Sequence, residues 1–514
     1  MEKSLRKVGF VVTVIAFGLS MRFLIEFAYN ATLAFFDVTS VLGFLFRSLG
    51  LMAFFVVWLI ITLRSENYQT KLPWLMLLLL DPISGMVLFL TFGRSFKRSS
   101  RYKKRPLMVD SMFAPRMPEA NPQRLNESTL DPNIQTLFYH AHKQTHLPPY
   151  LNQTHTTLYQ NGETFYPALL KDLEAAKDFI LMSFFIIRDD VRGTRFMDML
   201  KQKAQEGLTV KLIVDGLGSA RLKRKTRHLL KAAGVDFIIQ DPIYFPMFNT
   251  RINYRNHRKI VVIDGTHGYT GGMNLANEYD NTIPHDYYFR DTMIKLEGEA
   301  VKSLTAIFFK DYYYNTGVFI DEDRFYPPTK TQANGVVQVI ESGPDSEFAH
   351  IRDVYTRLIL SAKHTINIMT PYMALDQETL TALKVAARSG VRVNIIIPGT
   401  PDKWLVYRVT KFFMGTLLKH GVNLYTYTPG FSHAKVLIVD DTIGSVGSYN
   451  LDNRSAVIDF ELTTLFVNES VKLLVDAFEK DLKASHKHTY EQFKSRRFSA
   501  RLLEGALSIF TPIL

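Results

Sequence analysis

The chain has 514 residues, 47% of them hydrophobic, and a formal net charge of +12 from 61 Lys and Arg against 49 Asp and Glu. That length accommodates two or more globular units plus a membrane region, and the basic balance favours anionic partners, either nucleic acid or an anionic membrane surface. The absence of cysteine excludes disulfides, thiolate metal sites and a cysteine nucleophile.

Residues 1–93 read as a membrane anchor. Three apolar stretches, Val8 to Ala28, Val41 to Leu63 and Leu72 to Phe92, each approach the ~20 residues a helix needs to cross a bilayer. A signal peptide is the rival for the first, but it is succeeded by further apolar segments and by no small-residue cleavage site. The basic N-terminus (Lys3, Arg6, Lys7) and the run Arg94, Lys97, Arg98, Arg101, Lys103, Lys104, Arg105 both belong on the cytoplasmic side. Three full spans would separate them, so two spans and a re-entrant third segment are expected, turning at Asp81-Pro82. A carboxylate at mid-bilayer is costly and Pro breaks a helix. The competing arrangement spans the second and third stretches and lays the first along the surface. Residues 94–157 form a basic juxtamembrane segment and a linker that partly packs on the region C-terminal to it.

From residue 158 short β-branched runs alternate with helical ones, an α/β pattern. Strands are predicted at Phe179 to Ile187, Val210 to Asp215, Val235 to Gln240 and Lys259 to Asp264, with helices at Tyr166 to Ala176 and Thr194 to Glu206 between them. The pattern then repeats. EAAKDFILMSFFI from Glu174 resembles LSAKHTINIMTPY from Leu360, and AQEGLTVKLIVD from Ala204 resembles ARSGVRVNIIIP from Ala387. Two copies of one α/β unit, 158–325 and 326–514, account for this. The first copy carries an insert, Asp241 to Asn256, whose Tyr244, Phe245, Met247, Phe248, Arg251, Tyr254 and Arg255 suit an anionic headgroup at an interface or an ordinary surface loop.

Each copy ends in one constellation. His257 and Lys259 precede four apolar residues and Asp264, then six residues, then Gly271 and Asn274; His433 and Lys435 precede four apolar residues and Asp440, then six residues, then Gly447 and Asn450. A single such match could be accidental; two at equivalent places in a repeat are not. His and Lys at i and i+2 of a strand share a face, and the Gly turn lets the backbone bring an Asn amide to the same edge. Two such edges facing each other form a cage for a phosphodiester: one imidazole attacks phosphorus, the other protonates the leaving oxygen, and Lys and Asn hold the non-bridging oxygens. The cations do the work of a metal, so neither metal nor cofactor is expected. Asp264 and Asp440 stand at strand ends, where a turn-forming role and a chemical one are equally open. An imidazole also needs an acceptor behind it. The next strand of each copy offers one, Asp291 and Glu461, and these are expected to orient the histidines.

These residues resemble the phospholipase D superfamily. GGMNLANEY, FRDTMIKLEG, TPYMALDQETL, GFSHAKVLIVDD and VGSYNLDNRSAVIDFE, together with the apolar segment LPWLMLLLLDPISGMVLFLTFGR and the tail RLLEGALSIFTPIL, look like bacterial cardiolipin synthases across essentially the whole chain. The resemblance implies two phospholipase D-like α/β repeats sharing one active site, preceded by transmembrane helices. It further implies a multi-pass protein of the cell membrane with its repeats on the cytoplasmic side and an amphipathic C-terminal tail. It implies transfer of a phosphatidyl group between two phosphatidylglycerol molecules through a phosphatidyl-histidine. It names His257, Lys259, Asp264, His433, Lys435 and Asp440 as catalytic, with His257 the attacking residue, and it implies no nucleic-acid partner. Asp81, Asp459 and Met293 depart from the family pattern. The rivals are a hydrolytic phospholipase D, a phosphatidylserine synthase and a non-catalytic tether for anionic lipid.

Overall fold

The computed structural model describes residues 41–63, 68–82, 85–86, 88–89, 116–117, 130–242 and 253–513. The first apolar stretch, the polybasic run and insert residues Tyr244, Phe245, Met247, Phe248 and Arg251 lie outside these. The chain divides into two units, residues 1–95 with 247–250, and the remainder.

In the smaller unit the helix Val41–Thr62 covers 22 residues, about 33 Å at 1.5 Å per residue. The side chains of its first half lie outside the described residues. Among the described residues no helix is long and apolar enough to cross a membrane. A second helix, Tyr68–Leu80, runs into Asp81-Pro82, and there the chain reverses. The rings of Trp74 and Phe89 meet at 5.6 Å, where an unbroken helix would hold these positions about 22 Å apart. Gly85 lies so close to the Leu78 backbone that a Cβ would sit 2.7 Å from its Cα, so the turn depends on the absent side chain. Val57, Ile61, Leu78 and Phe89 form the unit's small core.

Among its described residues the larger unit holds twenty strands. In the first repeat they are β2 Thr154–Tyr159, β3 Phe179–Phe184, β4 Thr209–Asp215, β5 Asp236–Gln240, β6 Ile260–Ile263, β7 His267–Gly271, β8 Tyr288–Arg290 and β9 Met293–Gly298, preceded by β1 Tyr150–Leu151. In the second they are β10 Val336–Ser342, β11 Thr365–Met369, β12 Met373–Ala374, β13 Arg392–Pro398, β14 Asn423–Tyr427, β15 Gly430–Ser432, β16 Val436–Val439, β17 Ile443–Gly447, β18 Leu451–Asp452, β19 Glu461–Val467 and β20 Ser485–His488. The first sheet has the order β2-β9-β7-β6-β3-β4-β5; the second reads β10-β19-β17-β16-β11-β13-β14 with β1 and β20 added at its edges. Strand for strand the orders coincide, so the sequence repeat is a repeat of topology.

Helices cover the outer face of each sheet, and Val301–Thr316 and Ser470–Lys483 fill the layer between them. The buried strands show why their sequences are apolar throughout. Ile260 and Val262 point into the central core with Val436 and Ile438, while Val261 and Ile263 face the outer helices of the first repeat. The linker joins the second repeat: helix Pro132–Thr145 sets Leu137, Phe138 and Ala141 into that repeat's outer core, and β1 pairs with β10.

Candidate active site

Each histidine lies just before a buried strand, β6 for His257 and β16 for His433. Each is held there by the other repeat. Backbone N–H of His257 donates to Phe460 O at 3.0 Å and that of His433 to Arg290 O at 2.7 Å. Asn256 bridges to Phe460, and β15 runs parallel to β8. The side chains obey the same rule. His257 Nδ1 lies 3.1 Å from Glu461 Oε1, and His433 Nδ1 lies 2.7 Å from Asp291 Oδ2. The two carboxylates expected to hold the imidazoles do so, but crosswise, each reaching the histidine of the other repeat. A carboxylate accepting at Nδ1 puts the ring proton there and leaves the Nε2 lone pair free.

The lysines are buried beneath, and each ammonium donates to its own histidine's carbonyl, Lys259 to His257 O and Lys435 to His433 O, both at 2.6 Å. Burial lowers both; Lys435 falls to about 7. Burial likewise lowers His257 to about 3 and His433 to about 4, so both rings are neutral at pH 7, and it pushes Glu461 up to about 7. A phosphate anion among these groups would favour the charged lysines and histidines.

The glycine turns differ in one instructive position. Gly272 stands against Asp291, and a Cβ there would lie 2.0 Å from Oδ1. Its counterpart Ser448 donates to Glu461 Oε2 at 2.5 Å, and Ser455 donates to Oε1 at 2.9 Å. Asn274 is engaged locally: its Oδ1 accepts from Ile186 N at 3.0 Å and its Nδ2 donates to Tyr279 OH at 2.6 Å. Asn450 Nδ2 donates to Ser455 at 3.2 Å, and its Oδ1 is buried with no partner among the described residues.

Asp264 and Asp440 stand apart from this group. The strand β6 or β16 separates each from its histidine, a spacing of roughly 20 Å for seven extended residues. Asp264 accepts from the N–H groups of Lys177, Asp178 and Phe179 at 2.8–2.9 Å, and Asp440 from those of Lys363, His364 and Thr365 at 2.7–2.8 Å. Both have φ of +51°. They fasten the start of β3 and β11. Arg255 of the insert is buried, donating to Asp241 O at 3.1 Å and lying 3.6 Å from Asp215.

Several residues around the histidines carried no sequence signal of their role. Arg258, between His257 and Lys259, is fully buried and pairs with Asp311 and Glu341, both at 2.5 Å. The surroundings of the histidines differ: Tyr279, Phe289 and Phe431 enclose His433, while His257 meets Phe185 and a second carboxylate, Asp459, at 3.5 Å. Asp459 is in turn gripped by Arg454 at 2.9 Å and by the Arg255 amide at 3.2 Å. His257, Asp459 and Glu461 bring three ligand atoms within 4.8 Å of one another, but the Nδ1 hydrogen bond and the Arg454 pair already engage them.

A model of the cardiolipin synthase phospholipase D-like domain matches residues 169–285 and 355–484. The chain is 37% identical over 462 residues to a cardiolipin synthase of Halalkalibacterium halodurans, covering 89% of this chain and 91% of that protein. It is 35% identical to cardiolipin synthase 2 of Bacillus anthracis, covering 90% of each. The major cardiolipin synthase ClsA of Bacillus subtilis is 34% identical over 489 residues, 93% of this chain and 100% of that one. In fold, the chain is similar to the phosphatidylserine synthase of Haemophilus influenzae, with a TM-score of 0.58 at 16% identity over 73% of this chain and 100% of that one.

Proposed function

The chain belongs to the family of cardiolipin synthases built on phospholipase D-like domains, and we propose that it passes a phosphatidyl group from one phosphatidylglycerol to another. The crosswise hydrogen bonds of His257 to Glu461 and His433 to Asp291 carry this reading: they leave Nε2 of both rings for the substrate, His257 neutral to attack and His433 protonated there beside the bound phosphodiester anion. His257 Nε2 attacks the donor phosphorus as the P–O bond to glycerol breaks, and His433, charged in the phosphodiester complex, gives glycerol its Nε2 proton and becomes neutral. A hydroxyl of the second phosphatidylglycerol then gives its proton to His433 and displaces His257, yielding cardiolipin. Attack through Nε2 leaves a cationic ring. Two carboxylates beside Nδ1, Glu461 and Asp459, favour His257 as the nucleophile. Lys259, Lys435, Asn274 and Asn450 hold the non-bridging oxygens. One phosphodiester replaces a similar one, so the protein's main task is to keep water from the intermediate.

The anchor reading rests on the smaller unit. Met52, Phe55, Val56 and Leu59 are exposed along Val41–Thr62, as is Leu63 just beyond it, the pattern of a lipid-facing surface. The reversal at Asp81-Pro82 supports two spans, Val8 to Ala28 and Val41 to Leu63, with a re-entrant hairpin between Leu72 and Phe92 and the repeats on the cytoplasmic side.

Purified protein given labelled phosphatidylglycerol in vesicles, with and without excess chelator, should release equimolar cardiolipin and glycerol in both cases. Phosphatidic acid as the sole lipid product would establish a hydrolase instead.

A further inference from the structure

The C-terminal helix Phe498–Leu507 is amphipathic with its apolar stripe turned outward. A surface helix of a globular protein normally buries that stripe. Here Phe498 and Leu502 are 75% and 61% exposed, and Ile509 and Phe510 of the succeeding turn are exposed too. The residue turned inward is Glu504, gripped by Arg496 through two bonds of 2.9 Å; it is the one acidic residue between 498 and 513. The helix packs on Trp404–Lys419, whose Trp404 is 58% exposed. Exposed Lys403, Lys494, Arg497 and Arg501 flank the apolar side chains.

This face adjoins the candidate active site. Pro512 O accepts from Asn453 Nδ2 at 2.8 Å, at the head of the short helix that supplies Arg454 to Asp459 and Ser455 to Glu461. Lys403, next to Trp404, lines a cleft with Pro371, Tyr372, Tyr407 and Phe431, and the Phe431 ring stacks on His433 at 6.1 Å. Aromatic and aliphatic side chains ringed by cations fit an interfacial, anionic bilayer surface. A second copy fits less well, because a two-fold contact would set the same cations against themselves.

We propose that Phe498–Ile513 and the exposed start of Trp404–Lys419 form a membrane-docking face, separate from the N-terminal anchor, that seats the mouth of the active site on anionic lipid. The inference deepens the phosphatidyl-transfer reading and rests on it for the identity of the lipid. The test uses the full chain, whose lack of cysteine allows single labels. Leu502→Cys, and Lys231→Cys on the outer face of the first repeat, are labelled with an environment-sensitive dye. Each protein is then reconstituted in phosphatidylglycerol vesicles containing nitroxide lipid. The label at 502 should shift to the blue and be quenched while that at 231 stays in water. Equal, water-like signals at both positions would overturn the proposal. So would quenching at 502 that fades when protein is diluted in lipid, since that marks a second copy. As a functional arm, Phe498→Ser with Leu502→Ser should raise KM for vesicle phosphatidylglycerol about tenfold. It should leave turnover of a soluble short-chain analogue unchanged; an unchanged KM would count against docking. Quenching without any cardiolipin formed would leave the docking face standing and remove the transferase reading.

Discussion

The imidazole of His433, in the second repeat, is hydrogen-bonded at Nδ1 to Asp291 of the first at 2.7 Å, and His257 of the first repeat is bonded to Glu461 of the second. Each half thus supplies the imidazole of one pair and the carboxylate of the other. His257→Ala and His433→Ala should each abolish cardiolipin formation with unfolding midpoints unchanged. Asp291→Asn and Glu461→Gln should lower kcat by about 10²- to 10⁴-fold, the range seen when an imidazole loses its orienting carboxylate. Product analysis by labelled lipid checks all four; substantial turnover in either alanine variant would rule out a two-histidine mechanism.

Gly272 owes its identity to Asp291. A methyl group there would overlap the carboxylate oxygen, so Gly272→Ala should push Asp291 off His433. The expected result is a fall in kcat approaching that of Asp291→Asn, with KM little changed. The equivalent Ser448→Ala removes a hydroxyl donor from Glu461 but no space, and should cost about tenfold or less.

Asp459 predicts a pH effect. Its charge raises His257, against the lowering by burial and by Lys259, Arg454 and Lys403. Asp459→Asn removes that support and leaves Arg454 facing the ring, so the imidazole should protonate only at still lower pH. The acid limb of kcat/KM, where the attacking ring must be neutral, should therefore move down the pH scale. A purely structural role would lower activity at every pH without moving the limb.

Asp264→Ala should act on stability. It removes three backbone hydrogen bonds and places Ala at a φ of +51°, for a loss of about 2–4 kcal/mol in chemical denaturation. Asp264→Asn keeps one acceptor and tolerates that φ, so it should lose about half as much. The folded fraction of either variant should retain activity within about tenfold; a folded but inactive protein would return Asp264 to the chemistry.

Topology is testable with an impermeant maleimide on intact cells, since the native chain has no thiol. The re-entrant arrangement requires labelling of Ser40→Cys and none of Gln69→Cys. The opposite pattern would favour spans at the second and third apolar stretches.

The duplicated unit, its strands and the paired His, Lys and Asn were legible because spacing encodes which residues share a strand face. The prediction from Val235 to Gln240 differs from β5 by one residue, and the run predicted to Ile187 ends at Phe184 because Ile186 and Ile187 turn away to pair with Leu275. Spacing is silent about partners across repeats, so Asp291 and Glu461 were found as acceptors without their crosswise assignment. It is silent, too, about which end of a strand does chemistry. Asp264 and Asp440 recur in the motif as faithfully as the histidines, because a fixed turn at the far end of the strand constrains sequence as strongly as a reaction does. Arg258 gave no signal, since a cation between His and Lys reads as surface until Asp311 and Glu341 are seen around it.

Crosswise support also sets when the protein becomes an enzyme. Glu461 lies 204 residues beyond His257, and at about 5–20 residues per second a ribosome needs roughly 10–40 s to span them. Throughout that interval the first repeat has emerged with a histidine that has no carboxylate behind it. A nascent or prematurely terminated chain therefore holds no imidazole oriented from behind, and the complete pair arrives only with the last-made sheet.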